Sequence, residues 1–232
     1  MNLITACSLT KSFRRRHVIK GIDLTIGQGK VIAMIGPNGA GKSTIISMLA
    51  GIIKPDGGTV THWREDYRAH MGVQLQATPF FEGYTAEENL ALFAAMYRVR
   101  LNRSQLREKL AECGLADTGK TPAARLSLGQ QKRLALAVTT LHHPQLIVLD
   151  EPAAGLDPRA SHEIRQLIRS MAANGSRTVL FSSHDMEEVE RTADQVIFIR
   201  GGRVAADGEP AALKQEHGVE HLEELYLKLT EA

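Results

Sequence analysis

Ten consecutive residues, Met34-Ile35-Gly36-Pro37-Asn38-Gly39-Ala40-Gly41-Lys42-Ser43, constrain this chain more than any other segment. They contain the pattern G-x-x-x-x-G-K-[ST], a loop that wraps the phosphates of a nucleotide. The preceding run Val31-Ile32-Ala33-Met34-Ile35 is short, apolar and partly β-branched, as a buried parallel strand requires. Residues 43–50 read as a helix ended by Gly51. Strand, glycine loop and helix therefore occur in the order the phosphate loop needs. Gly36, Gly39 and Gly41 permit tight turns that aim successive N–H groups at an anion, and the helix N-terminus adds its positive dipole end. In this pattern Lys42 reaches the β- and γ-phosphates and the Ser43 hydroxyl ligates Mg²⁺. Pro37, Asn38, Ala40 and Thr44 complete the candidate ATP-binding segment.

At 232 residues the chain is long enough for a sizeable core, arranged as one domain with a subdomain. A formal net charge of +2 creates no imbalance that demands a nucleic-acid partner, and none is expected. The basic run Arg14-Arg15-Arg16-His17 lies between two strand-like segments and reads as a solvated hairpin turn, with a phosphate- or nucleic-acid-binding cluster the alternative. Cys7 and Cys113 have no metal or redox spacing, which fits a reducing cytoplasm. No segment approaches the roughly 18 apolar residues of a membrane span. The N-terminus lacks the long apolar run of a signal peptide. A soluble cytoplasmic chain is expected.

Residues 3–9 and 18–26 read as strands around the basic turn, and Pro55-Asp56-Gly57-Gly58 as a turn. Residues 71–75 form another expected strand. From 78 to 143 the pattern becomes helical. Thr85 and Glu88 form a capping box before Leu90, Leu92, Phe93 and Met96. A second helix is expected over 105–113 and a third over 128–142, with Ser127 as its N-cap. His142 and His143 read as helix C-terminal groups favoured by the dipole. Strands then recur at 145–150, 178–182 and 195–199, with a helix at 158–173 opened by Asp157. Gly201-Gly202 predicts a tight hairpin. Val219, Leu222, Leu225, Tyr226 and Leu229 make one apolar helical face that packs on the body.

The apolar strand Leu146-Ile147-Val148-Leu149 ends in Asp150-Glu151. An acid at that end of a core strand can hold Mg²⁺ beside a phosphate loop, and the next acid can polarise an attacking water. Leu126-Ser127-Leu128-Gly129-Gln130, about twenty residues upstream, resembles the L-S-G-G-Q signature of the ATP-binding cassette (ABC) ATPases. The other marks of that family follow in order. Gln76 matches its Q-loop glutamine, with Gln74 a rival two residues earlier. Gly155-Leu156-Asp157 resembles its D-loop, and His184 in Ser182-Ser183-His184-Asp185 its switch histidine. Phe13 stands where an aromatic side chain stacks on adenine. The likeness covers residues 1–210, with Leu128 in place of a signature glycine and Phe13 in place of the commoner tyrosine.

The resemblance implies an α/β fold: a P-loop NTPase core with a RecA-like mixed sheet, N-terminal antiparallel β-strands and an inserted α-helical subdomain. It divides one ABC ATPase domain, 1–232, into an α/β core at 1–76 and 144–210, a helical subdomain at 77–143 and a helical tail at 211–232. It also implies that two cassettes, identical or different, close around two ATP molecules. Ser43, Gln76 and Asp150 then hold Mg²⁺, and Glu151, His184 and Gln76 serve hydrolysis. Ser127, Gly129, Gln130 and Asp157 meet the nucleotide of the partner subunit. The expected function is the ATPase subunit of a transporter, on the cytoplasmic face of the membrane, with a separate permease docking around 79–98. Export of a drug, antibiotic or other small solute is favoured over import. The competing reading is a soluble ABC ATPase, as in iron–sulfur cluster assembly. Lys42→Ala is expected to abolish most ATPase activity, checked by phosphate release alongside calorimetry of Mg-ATP binding.

Overall fold

Alternation of buried side chains explains the layering. In β3 (Val31–Ile35) every residue is buried, but Ile32 and Met34 point to one face while Val31, Ala33 and Ile35 point to the other. A strand covered on both faces reads as a continuous apolar run, and β6 (Leu146–Asp150) and β7 (Thr178–Ser183) share that character. The computed structural model describes residues 1–76 and 80–231. Residues 77–79, where the helical segment was expected to begin, and residue 232 lie outside the described residues.

Two sheets are present. A three-stranded antiparallel sheet has the order β2-β1-β4, from β1 (Asn2–Phe13), β2 (Arg16–Gly27) and β4 (Gly57–His62). The six-stranded sheet has the order β5-β6-β7-β3-β8-β9, with β5 (Met71–Gln74), β8 (Gln195–Arg200) and β9 (Arg203–Gly208). Pairing is parallel from β5 to β8, and β9 closes the edge antiparallel to β8. One core lies between the two sheets around α1 (Lys42–Leu49) and includes Ile45, Leu49, Met34 and Leu180. A second covers the opposite face, where α5 (Pro158–Ala172) contributes Ile164 and Ile168. The terminal helix α8 (Leu222–Glu231) adds Leu222 and Leu225 there, so the expected apolar tail face does pack on the body.

The segment between β5 and β6 builds a third core from α2 (Ala86–Met96), α3 (Arg103–Glu112) and α4 (Leu128–Thr139). Each of these helices starts with a reciprocal capping box: Thr85 with Glu88, Asn102 with Gln105, and Ser127 with Gln130. Fully buried Asn89 ties α2 to the chain that leads into it. Its Oδ1 accepts from the Phe81 N–H at 2.9 Å, while Nδ2 donates to the carbonyls of Phe81, Tyr84 and Thr85 at 3.1–3.2 Å.

Three elements escaped the sequence reading. Strand β4 has one large apolar residue, Val60, and is a strand because it pairs with β1. Helices α6 (Met186–Thr192) and α7 (Pro210–His217) are short and charged, and they form where tertiary packing stabilises them. His142 corrects an expectation. Helix α4 stops at Thr139, so His142 is no helix-terminal cation. Its Nε2 donates to the Met71 carbonyl at 3.1 Å and its ring stacks on Tyr97 at 4.3 Å. Burial, the largest effect, lowers its pKa and favours the neutral ring. Among the described residues no helix is long and apolar enough to cross a membrane. Asn89→Ala leaves the Phe81 N–H without its acceptor and takes one donor from three carbonyls that keep a backbone partner, and it is expected to destabilise the chain by about 1–3 kcal/mol, read from the urea midpoint.

Candidate nucleotide site

The loop between β3 and α1 is shaped by what lies against it. Gly36 has φ 147°, and a Cβ there would sit 2.1 Å from the Ile199 carbonyl oxygen. Gly41, at φ 110°, is the residue before α1, and a Cβ there would press on Ile19 Cδ1 at 2.5 Å. A side chain at Gly36 would push the loop off its seat, and at Gly41 the positive φ strains any residue with a side chain. Lys42 is buried, and its Nζ donates to the Gly36 carbonyl at 2.7 Å and to that of Pro37 at 3.3 Å. The Ala40 N–H also donates to the Pro37 carbonyl, at 3.1 Å. Burial lowers the Lys42 pKa, and the nearby Glu151 and Asp150 carboxylates oppose that shift.

This loop borders an open cleft of about 470 Å³. Asn38, Gly39, Gly41, Lys42, Ser43 and Thr44 line one side, and Gln76, Glu151, Arg16 and Val18 line the rest. The glycine loop, Gln76 and the strand-end Glu151 therefore meet in one cavity. Gln74 does not join them. It is buried in β5, with neither amide atom hydrogen-bonded among the described residues. Phe13 is 45% exposed, opposite Arg16 in the β1–β2 register and 5.7 Å from the Lys11 ammonium by its ring centroid. Arg16 was read as part of a solvated turn, but the hairpin brings it to the cleft. Its position three residues after Phe13 was the available signal.

At the end of β6, Asp150 is buried and accepts a hydrogen bond from the Ser182 hydroxyl at 2.6 Å. Ser182 Oγ in turn accepts from the Glu151 N–H at 2.9 Å. Glu151 has φ 50°, the left-handed region, at a local cost of roughly 1–2 kcal/mol for a residue with a Cβ. Its carboxylate lies 3.7 Å from Nδ1 of His184. Buried Lys132 donates to the Glu151 carbonyl at 3.4 Å, and burial lowers its pKa against the pull of Glu151 and Asp150.

The signature residues stand elsewhere. Ser127 and Gln130 cap α4: the Gln130 N–H donates to Ser127 Oγ at 3.3 Å, and the Ser127 N–H donates to Gln130 Oε1 at 2.9 Å. A Cβ on Gly129 would lie 3.0 Å from Ala160 Cβ, so this face is packed on α5. Asp157 caps α5, accepting from the N–H groups of Arg159 and Ala160 at 3.0 Å. None of Ser127, Gly129, Gln130 and Asp157 is among the residues that line the cleft.

Residues 19–154 match the ABC transporter family. The chain belongs to that family. It is 35% identical over 224 residues to the lantibiotic transport ATP-binding protein SrtF of Streptococcus pyogenes, covering 94% of this chain and 93% of that protein. It is 36% identical over 224 residues to the Nod factor export ATP-binding protein I of Sinorhizobium fredii, covering 92% of this chain and 64% of that protein. A solved structure of an ATP-binding subunit of an ABC transporter superposes with a TM-score of 0.85 at 28% identity, covering 98% and 99% of the two chains.

As an ABC ATPase subunit, the cassette keeps its acidic strand end in register through one buried hydroxyl. Ser182→Ala removes the donor to Asp150 and the acceptor of the Glu151 N–H together. Stability is expected to fall by about 1–3 kcal/mol, measured by denaturant unfolding, and an unchanged midpoint would refute the linkage.

Proposed function

We propose that this cassette is the ATP-hydrolysing subunit of an exporter, working with a second cassette and a separate permease on the cytoplasmic face of the membrane. One observation carries the reading. The cleft gathers Lys42, Ser43, Gln76 and Glu151, while Ser127, Gly129, Gln130 and Asp157 lie away from it. A site so divided is complete when another chain supplies the second half.

Within the cleft, Lys42 and the N–H groups of the loop bind and orient the β- and γ-phosphates of ATP. The oxygen donors Ser43, Gln76 and Asp150 suit a hard cation such as Mg²⁺, and the buried Asp150 carboxylate supplies the charge it needs. Bound there, Mg²⁺ neutralises charge on the phosphate oxygens. Glu151 accepts a proton from the attacking water, and His184, beside it, contacts the γ-phosphate. Phe13 offers its exposed face to adenine, and Arg16 adds a positive charge at the mouth.

The division of the chain follows the same reading: an α/β core at 1–76 and 144–210 for the nucleotide, a helical subdomain at 77–143, and a tail at 211–232. A partly apolar groove of about 350 Å³, lined by Ile52, Val73, Phe80, Phe93, Tyr97 and Val138, opens between β5 and the helices α2 and α4. Exposed Phe81 and Tyr84 stand in the same segment, and together they suit the permease. Export is supported by the relatives, one named for lantibiotic transport and one for Nod factor export.

Glu151→Gln keeps shape and hydrogen bonding but removes the basic carboxylate. Turnover is expected to fall on the order of 10²–10⁴-fold. The ATP-bound variant should collect as a dimer in size-exclusion chromatography. Ser127→Arg is expected to bind ATP as the parent does and fail to form that dimer. Parental turnover in both variants would overturn the reading.

A further inference from the structure

Helix α4 starts at the turn proposed to meet the partner's nucleotide, and one helical turn later it carries a buried lysine. Lys132 lies three residues after Gly129, on the same helical face. Its Nζ donates to the Glu151 carbonyl at 3.4 Å, the one acceptor it has among the described residues. Two further contacts hold the same stretch of helix to the chain that follows Glu151. Gly129 packs on Ala160, and Arg133 pairs with Glu163. The first half of α4 and residues 151–163 are thus joined along their length.

Glu151 needs such support. Its φ of 50° is unfavourable for a residue with a side chain, and Pro152 after it restricts the backbone further. Conformations of this kind persist when the surroundings over-determine them. Here two sides contribute. Ser182 on β7 holds the Glu151 N–H at 2.9 Å, and the carbonyl accepts from Lys132 on α4 at 3.4 Å beside the local Ala154 N–H at 3.2 Å. A buried ammonium has few alternative partners, and the interior screens its attraction to this carbonyl less than water would.

We infer that Lys132 is a positioning residue that holds the Glu151 backbone and links it to the partner-facing start of α4. This rests on the reading of Glu151 as the group that activates water. A partner pressing on Ser127 shifts α4, and Lys132 passes that shift to the carboxylate, whose placement sets the rate. Displacing a reacting group by about 1 Å lowers turnover up to 10²-fold. Lys132 lies beyond the five signature residues, at a position to which the sequence reading gave no role.

The test uses the full chain with Mg-ATP. Lys132→Met keeps the length of the side chain and removes its donor and charge. It is expected to lower kcat about tenfold with KM for Mg-ATP within about twofold, the pattern of an interaction that matters in the transition state. Lys132→Arg should recover most of the rate. In a Glu151→Gln background, Lys132→Met should cause no further loss in single-turnover hydrolysis, because the two residues act as one unit. A space-filling lysine predicts parental kcat in Lys132→Met, or equal losses in the Met and Arg variants, and either result overturns the proposal. So does a tenfold loss that persists in the Glu151→Gln background. Should Lys132→Met fail to fold, Lys132→Gln, which keeps a neutral donor of shorter reach, takes its place in the same cycle. Parental turnover by Glu151→Gln alone would instead overturn the reading of Glu151.

Discussion

Strand β7 pairs in parallel with β3 on one side and with β6 on the other, and the cleft proposed for the nucleotide depends on that double pairing. The phosphate loop leaves the end of β3, and the acidic pair closes β6 more than a hundred residues later. The two strands do not pair, because β7 lies between them. In register, Ser182 of β7 faces Met34 of β3 and Asp150 of β6. Its hydroxyl then bonds both Asp150 and the Glu151 peptide. A slip of one residue in β7 would turn its side chains to the opposite face and remove this bridge.

Charge is balanced around the same point. Lys42 and Lys132 are buried, and each feels Asp150 and Glu151 as stabilising charges. The lysines approach from different elements, one from α1 and the other from α4. Burial penalises each cation, and the carboxylates offset part of that penalty. A shift of α4 relative to the core would therefore change the electrostatics at the acidic strand end as well as its geometry.

Much of this was legible in the residues. Apolar runs at β3, β6, β7 and β8 stood out because strands buried on both faces have no polar side to dilute them. The box at Thr85 and the N-cap at Ser127 were legible because capping is a contact between residues a few places apart. Long-range contacts were hidden. Strand β4 needed β1, His142 needed Tyr97 and Met71, and Arg16 needed the β1–β2 hairpin to reach the cleft. Gln76 and Gln74 differ by two places in sequence and by burial in the fold. The end of β5 leaves Gln76 in the cleft and Gln74 in the interior.

By itself the sequence determined the ordered set of nucleotide motifs, the alternation of apolar strands with capped helices, and the membership in a family built on that order. These are local properties, set by spacing, periodicity and backbone freedom over a few residues. The tertiary structure decided which motifs share a cavity and which stand apart from it. It also decided that Glu151 adopts a left-handed backbone and that Lys132 lies against it. Those outcomes depend on strand order and on how α4 packs against the core. Both are set by burial among residues far apart in the chain, and no short window of sequence contains them.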